Sequence, residues 1–236
     1  MTEHADFLNH PPQLSRLKID GSTILVIDNF LQQPETICAT ATHAQFSPYP
    51  GYNEKKGYPG IRAKAPEDYS YTLTTFLEPL LKSEFNVPAE LDIRKSICAF
   101  SLMTMKPQEL GPLQLTPHFD ASTQYHTAVL LFLCDQEHGG TAFYRHKTTG
   151  LARITADNRE HYLDTYYEEL NQHRPQQTYF RDSTELFSKI GFIEAKFNRL
   201  IIYPGSLLHA PYINADVSIS SDPVHGRLTL NSFFDF

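Results

Sequence analysis

Cysteine is scarce: the 236 residues hold three, Cys38, Cys98 and Cys134, far apart and never spaced as CxxC. That pattern excludes the disulfide framework of a small secreted domain, and each thiol sits among apolar neighbours as a reduced core residue. Long hydrophobic runs are missing too, and no segment approaches the length of a membrane span. The opening stretch MTEHADFLNHPPQLSRLKID lacks the basic start and continuous apolar centre of a secretion signal. Basic charge is in short supply: 20 Lys and Arg against 27 Asp and Glu give a net charge of −7. With the acidic residues scattered rather than clustered, this argues against a general nucleic-acid surface. Tryptophan, internal repeats and low-complexity tracts are absent. Together these absences predict a cytoplasmic protein with neither nucleic acid nor membrane as partner.

What is present is an ordinary globular composition, 41% hydrophobic and 20% charged, with 13 tyrosines and 16 phenylalanines to fill a core. Residues 1–22, with Pro11 and Pro12, read as a polar N-terminal arm, and residues 23–236 as a single domain. Thr23, Ile24, Leu25, Val26 and Ile27 form a buried strand, followed by a helix that Pro34 and Glu35 open. A second helix covers 67–85, with Tyr71, Phe76, Leu77, Leu80 and Leu81 spaced toward a core. Strands are predicted over 93–105, 117–123, 127–133, 141–144, 191–196, 199–203, 207–211 and 227–236, with His138, Gly139 and Gly140 as a turn. Many short strands with tight turns predict a mainly β, α+β chain built on a double-stranded β-helix, or jelly-roll, core. Helical spacing at 158–171 and 183–190 predicts a helical insertion over about 150–190.

Chemistry concentrates at Thr116, Pro117, His118, Phe119 and Asp120. Residues two apart on an extended backbone share a face, so His118 and Asp120 converge. His209 follows a predicted strand and turn, and would complete the two-histidine, one-carboxylate set that leaves open positions on a non-heme iron. By itself an HxD pair in a chain with 11 histidines is weak; the order of its surroundings strengthens it. His118-x-Asp120, the apolar run 127–133, the turn Gly139-Gly140-Thr141-Ala142-Phe143, the segment from Asn198 to Gly205 with His209, and Gly226-Arg227-Leu228-Thr229-Leu230 follow in sequence. This series resembles the Fe(II)/2-oxoglutarate-dependent dioxygenases, and most closely their prolyl 4-hydroxylase-like branch, as does the opening Leu25-Val26-Ile27-Asp28-Asn29-Phe30-Leu31.

The resemblance implies that His118, Asp120 and His209 bind Fe(II). It implies that Arg227 and Thr229 hold the distal carboxylate of 2-oxoglutarate, which a guanidinium matches with two parallel bonds. O2 and a small-molecule or peptide substrate are the implied reaction partners, with a homodimer allowed. Here 18 positions separate His209 from Arg227, more than is common in the family. The loop 214–223 absorbs the excess and leaves His225 and Arg227 as rivals in register. Tyr125, His126, Arg145 and Asn231, with His146, are further candidates for lining the site. The stretch 46–66, carrying Tyr49, Tyr52, Lys55, Lys56, Tyr58 and Arg62, is basic and aromatic and would suit an anionic or peptide substrate. Two other classes use the same residues: a cupin-like or zinc-dependent hydrolase, and a non-catalytic metal- or ligand-binding barrel.

Overall fold

The computed structural model describes residues 7–9, 13–49 and 57–236. Tyr52, Lys55, Lys56, Pro11 and Pro12 lie outside them. The described residues form strands β1 (Gln13–Ile19), β2 (Ser22–Asp28), β3 (Ser47–Pro48), β4 (Gly60–Lys64), β5 (Lys95–Met103) and β6 (Thr127–Phe132). Strands β7 (Gly140–His146), β8 (Phe187–Glu194), β9 (Arg199–Pro204), β10 (His209–Tyr212) and β11 (Leu228–Asp235) follow, and the helices are α1 (Pro34–Thr42), α2 (Glu67–Glu84) and α3 (Arg159–Gln172).

Two antiparallel sheets result. The larger runs β1-β2-β9-β6-β11-β5-β4-β3 and the smaller β10-β7-β8. The central strands of the large sheet are apolar on both faces, because each face has a layer to bury against. Leu25 and Ile27 of β2, Val129 and Leu131 of β6, and Leu200 and Ile202 of β9 pack with Ile37 of α1 and with Tyr69, Leu73, Leu77 and Leu81 of α2. Each such leucine contributes roughly 1.5–3 kcal/mol by leaving water. Their alternates, Ile24, Leu130, Phe132, Ile201 and Tyr203, meet Phe143 and Ile193 of the small sheet. On the far side of the small sheet, Ala142 and Tyr144 pack under Tyr162 and Tyr166 of α3. Four layers therefore stack as α1/α2, large sheet, small sheet and α3.

Three elements differ from expectation. Residues 13–19, assigned to the arm, form an edge strand paired residue for residue with β2. Asp20 and Gly21, both at positive φ (49° and 74°), make the two-residue hairpin turn that an Asp-Gly pair favours. The segment 183–190 is no helix: it runs irregularly into β8. The pairing of β7 with β8 shifts between Phe143 and Tyr144, so Ile190 is an extra, bulged residue on the strand. Phe187, Ile190 and Ile193 consequently fall three apart, a helix-like spacing produced by a broken strand period. Finally, 117–123 is not a strand; only His118 makes a bridge, to His209, and Pro117 has no N–H to extend it.

Candidate metal centre

His118 and His209 are held together by their own backbones. Each donates its N–H to the other's carbonyl at 2.8 Å, and their rings stand 4.3 Å apart between centroids. Asp120 is tied down by its N–H to the carbonyl of Gly205 at 2.7 Å, in the turn that leads out of β9. The carboxylate then lies 3.8 Å from His118 Nε2 and 3.6 Å from His209 Nε2, and one donor atom from each residue falls within 4.8 Å of the others. Ligands about 2.1 Å from an ion lie about 3 Å apart at right angles, so small side-chain rotations close this set around one cation.

Its electrostatics favour a cation as well. His209 Nδ1–H donates to the carbonyl of Leu207 at 2.8 Å, which leaves the Nε2 lone pair facing the carboxylate. Burial pushes the His209 imidazole down to about 4, against that bond. Burial and then the neighbouring His209 lower His118 to about 4 also, tempered by the 48% of its side-chain surface that stays open. Burial raises Asp120, opposed by His118, His126 and Arg62. Asp120 Oδ2 is buried without any hydrogen-bond partner. Two neutral imidazoles and an acid with an unmatched oxygen constitute a donor set suited to a divalent ion.

Beside this triad lies a polar wall. Arg227 is 5% exposed; its Nη2 donates to the carbonyl of Gly140 at 2.9 Å while Nε has no partner. Thr229 follows on the same face and is fully buried, its hydroxyl making only a long 3.4 Å bond to Ser101. Asn231 Oδ1, Ser101 Oγ, Tyr58 Oη and Arg62 Nε are likewise buried and unpaired. Burial pushes the Tyr58 hydroxyl up, against the pull of Arg227, Arg62 and Thr229, although no Tyr58–Thr229 hydrogen bond meets ordinary geometry. The row Arg62–Ser101–Thr229 crosses β4, β5 and β11 in register. Such a concentration of unsatisfied interior polar groups is rare unless a polar ligand or water completes it.

The structure thus brings His118, Asp120 and His209 to one point, with Arg227, Thr229 and Asn231 on the adjoining face. His225 is exposed and beside Asp222, so Arg227 alone takes the interior register. His126 adjoins the triad: its Nδ1 lies 2.7 Å from Asp235 Oδ1 and its Nε2 is unpaired. Gly205 permits this, since a Cβ there would fall 2.2 Å from His126 Cδ2 and 3.3 Å from Asp120 Cβ. Two candidates are elsewhere. Tyr125 packs against the helix side of the large sheet, and Arg145 pairs with Asp20 in the β1–β2 turn. His146 is spent structurally, between Thr149 and Glu169 of α3. Sequence reasoning missed Ser101 altogether; it named Tyr58 and Arg62 in a loop suited to an anionic or peptide substrate, without the strand Gly60–Lys64 that carries Arg62. A cavity of about 650 Å³ is lined by residues within 173–187 of the insertion and meets the triad's segment through Leu115 and Thr116.

Comparison with curated proteins finds no match. A model described as a family of unknown function, DUF6445, matches residues 9–234. The chain belongs to that family. Among solved structures, this DUF6445 chain is similar to the non-heme alpha ketoglutarate dependent carbocyclase SnoK from nogalamycin biosynthesis, at 13% identity and a TM-score of 0.46, over 89% of this chain and 78% of that one. It is similar to an N-substituted L-amino acid dioxygenase from Burkholderia ambifaria AMMD at 10% identity and a TM-score of 0.39, over 91% and 82% of the two chains. The complex of such a dioxygenase with alpha-KG is 9% identical, with a TM-score of 0.36 over 89% and 80%. At this level the likeness carries no activity over to the DUF6445 chain. No helix among its described residues is long and apolar enough to cross a membrane.

Proposed function

We propose that the chain is a non-heme iron, 2-oxoglutarate-dependent dioxygenase that hydroxylates a small-molecule or peptide substrate, on a jelly-roll core like that of the prolyl 4-hydroxylase branch. The topology supports the jelly roll: β6 lies in the large sheet, β7 and β8 in the small one, β9 in the large, β10 in the small and β11 in the large. Successive strands wind between two sheets, as a double-stranded β-helix requires.

One observation carries the functional reading: a three-donor set whose acid has an unmatched oxygen accompanies a buried guanidinium whose Nε is also unmatched, and the charges of Asp120 and Arg227 both reach Tyr203. A hydrolytic zinc site requires only the donors and a water, whereas a dicarboxylate cosubstrate also calls for a guanidinium. In this reading His118, Asp120 and His209 hold Fe(II), and Arg227 forks onto the distal carboxylate of 2-oxoglutarate, with the Thr229 hydroxyl alongside. Bound there, iron and 2-oxoglutarate supply O2-dependent oxidation of a substrate C–H bond, coupled to release of CO2 and succinate. The chain's own part is positional. Leu207 orients His209, Gly205 anchors Asp120, and Phe132, Phe143 and Tyr203 give the interior an apolar lining that limits water. The three cysteines are free thiols, which suits a cytoplasmic location.

The test is anaerobic addition of Fe(II) followed by titration with 2-oxoglutarate. A charge-transfer absorbance of the iron chelate is expected, and succinate on admission of air. Tight zinc without any chelate band would instead favour the hydrolase.

A further inference from the structure

Arg62 is a second interior guanidinium that this reaction scheme leaves without a task. Three other arginines have an acid: Arg16 has Glu84, Arg145 has Asp20 and Arg199 has Asp28. Among the described residues Arg62 has none. It is boxed by aromatic rings instead, 4.6 Å from the centroid of Tyr49, 4.8 Å from Tyr58 and 5.9 Å from Phe233. Gly57, at φ 65°, lets the chain pass close to Tyr49 where a Cβ would strike the ring. Rings attract a cation through their faces and hold it, but they do not satisfy its in-plane N–H groups. Arg62 Nε is accordingly buried and unpaired.

Its position is specific. Arg62 stands on β4 opposite Ser101, which pairs in turn with Thr229, and it keeps part of its surface open, as His118 does, whereas Arg227 is 5% exposed and bonded to Gly140 next to Phe132. Of the two guanidiniums, Arg62 is the one within reach of solvent. A planar fork of N–H donors, preset by aromatic walls, matches a carboxylate better than any neutral group. We infer that Arg62 is the recognition residue for a carboxylate carried by the substrate to be oxidised, in a seat separate from that of the cosubstrate. This rests on the dioxygenase reading for its meaning, yet it is measurable apart from turnover.

The experiment uses the full chain under anaerobic conditions with Fe(II) and saturating 2-oxoglutarate, and the probes 3-phenylpropionate and 3-phenylpropionamide, titrated by calorimetry. The carboxylate should bind at least about tenfold tighter than the amide. Arg62→Gln should erase that preference and Arg62→Lys should keep part of it, with thermal midpoints reporting that both variants fold. The dissociation constant of 2-oxoglutarate, read from the chelate band, should stay within about threefold of wild type in Arg62→Gln. Equal binding of acid and amide by the wild type overturns the inference. So does a loss of 2-oxoglutarate affinity in Arg62→Gln matching that of Arg227→Gln, since the guanidinium would then belong to the cosubstrate. Should the wild type bind no 2-oxoglutarate, the same acid-against-amide comparison in an Arg227→Gln background still decides: a surviving preference that depends on Arg62 supports the seat while the dioxygenase reading falls.

Discussion

Asp120 shows the tension of the site in a single side chain. Its Oδ2 is buried with no partner, and burial outweighs the help of nearby His118; without a cation such a carboxylate destabilises the fold. Asp120→Asn is therefore expected to act in opposite directions on two measurements. Fe(II) affinity, measured anaerobically, should fall by about a hundredfold or more, while the metal-free thermal midpoint should stay level or rise. A drop in both would mean that the acid supports the fold rather than a metal. The pairing of His118 and Asp120 was suggested by the two-residue spacing together with the order of the segments around it, although the strand expected to carry both residues is replaced by a single bridge at His118. Tyr58 and Arg62 were legible only as members of a substrate loop, because their Pro- and Gly-rich surroundings hide the strand Gly60–Lys64 that pairs with β5 and carries Arg62.

At the scale of elements, one residue clamps the segment after β2 to the turn before β9, beyond the ladder that pairs the two strands. Asn198 sits at φ 63°; its Oδ1 accepts from Leu31 N–H and its Nδ2 donates to Leu31 O, both at 2.8 Å and both buried. Asparagine tolerates this left-handed backbone where alanine does not. Asn198→Ala removes both bonds and strains the turn, so urea unfolding should report a loss of about 2–4 kcal/mol. A change under about 0.5 kcal/mol would show that the contact is incidental. Strands whose two faces are both apolar, such as β6 and β9, were readable as continuous hydrophobic runs. β8 was readable only from Gly191 onward, because the bulge at Ile190 breaks the two-residue period that a strand reading depends on. β1 was missed for another reason: an edge strand with one polar face resembles an arm unless its Asp20-Gly21 turn is given weight.

At the scale of the molecule, acid sensitivity has an identifiable source. Asp28 receives two bonds from Arg199, at 2.6 and 3.0 Å, and one from Lys196 at 3.0 Å, binding the end of β2 to β9 and the turn before it. The hydrogen bond from Arg199 leads the causes that hold its carboxyl below the usual range, with burial opposing. A folded-state value below the unfolded one means that its stabilisation is complete above about pH 4 and is lost as pH falls through the lower folded value. The wild type should thus lose stability relative to Asp28→Asn as pH falls below about 4, with the two unfolding curves converging at the acid end. A constant offset between them across that range would rule out Asp28 as the source. That the chain is mainly β, with few helices, followed from strand number and turn chemistry, while the placement of partners across the interior needed three dimensions.

The stretch carrying α3 leaves the small sheet at His146 and rejoins it at Phe187, residues that face each other across β7 and β8. It is the enlarged tip of a hairpin, yet it is tied back to the ligand-bearing segments: Ala152 and Ile154 bond to Leu208 and Ser206 just before His209, and Tyr162 and Tyr166 of α3 meet Phe119 and Thr116 on either side of His118. Rebuilding that outer flank would therefore be felt at both ends of the donor set.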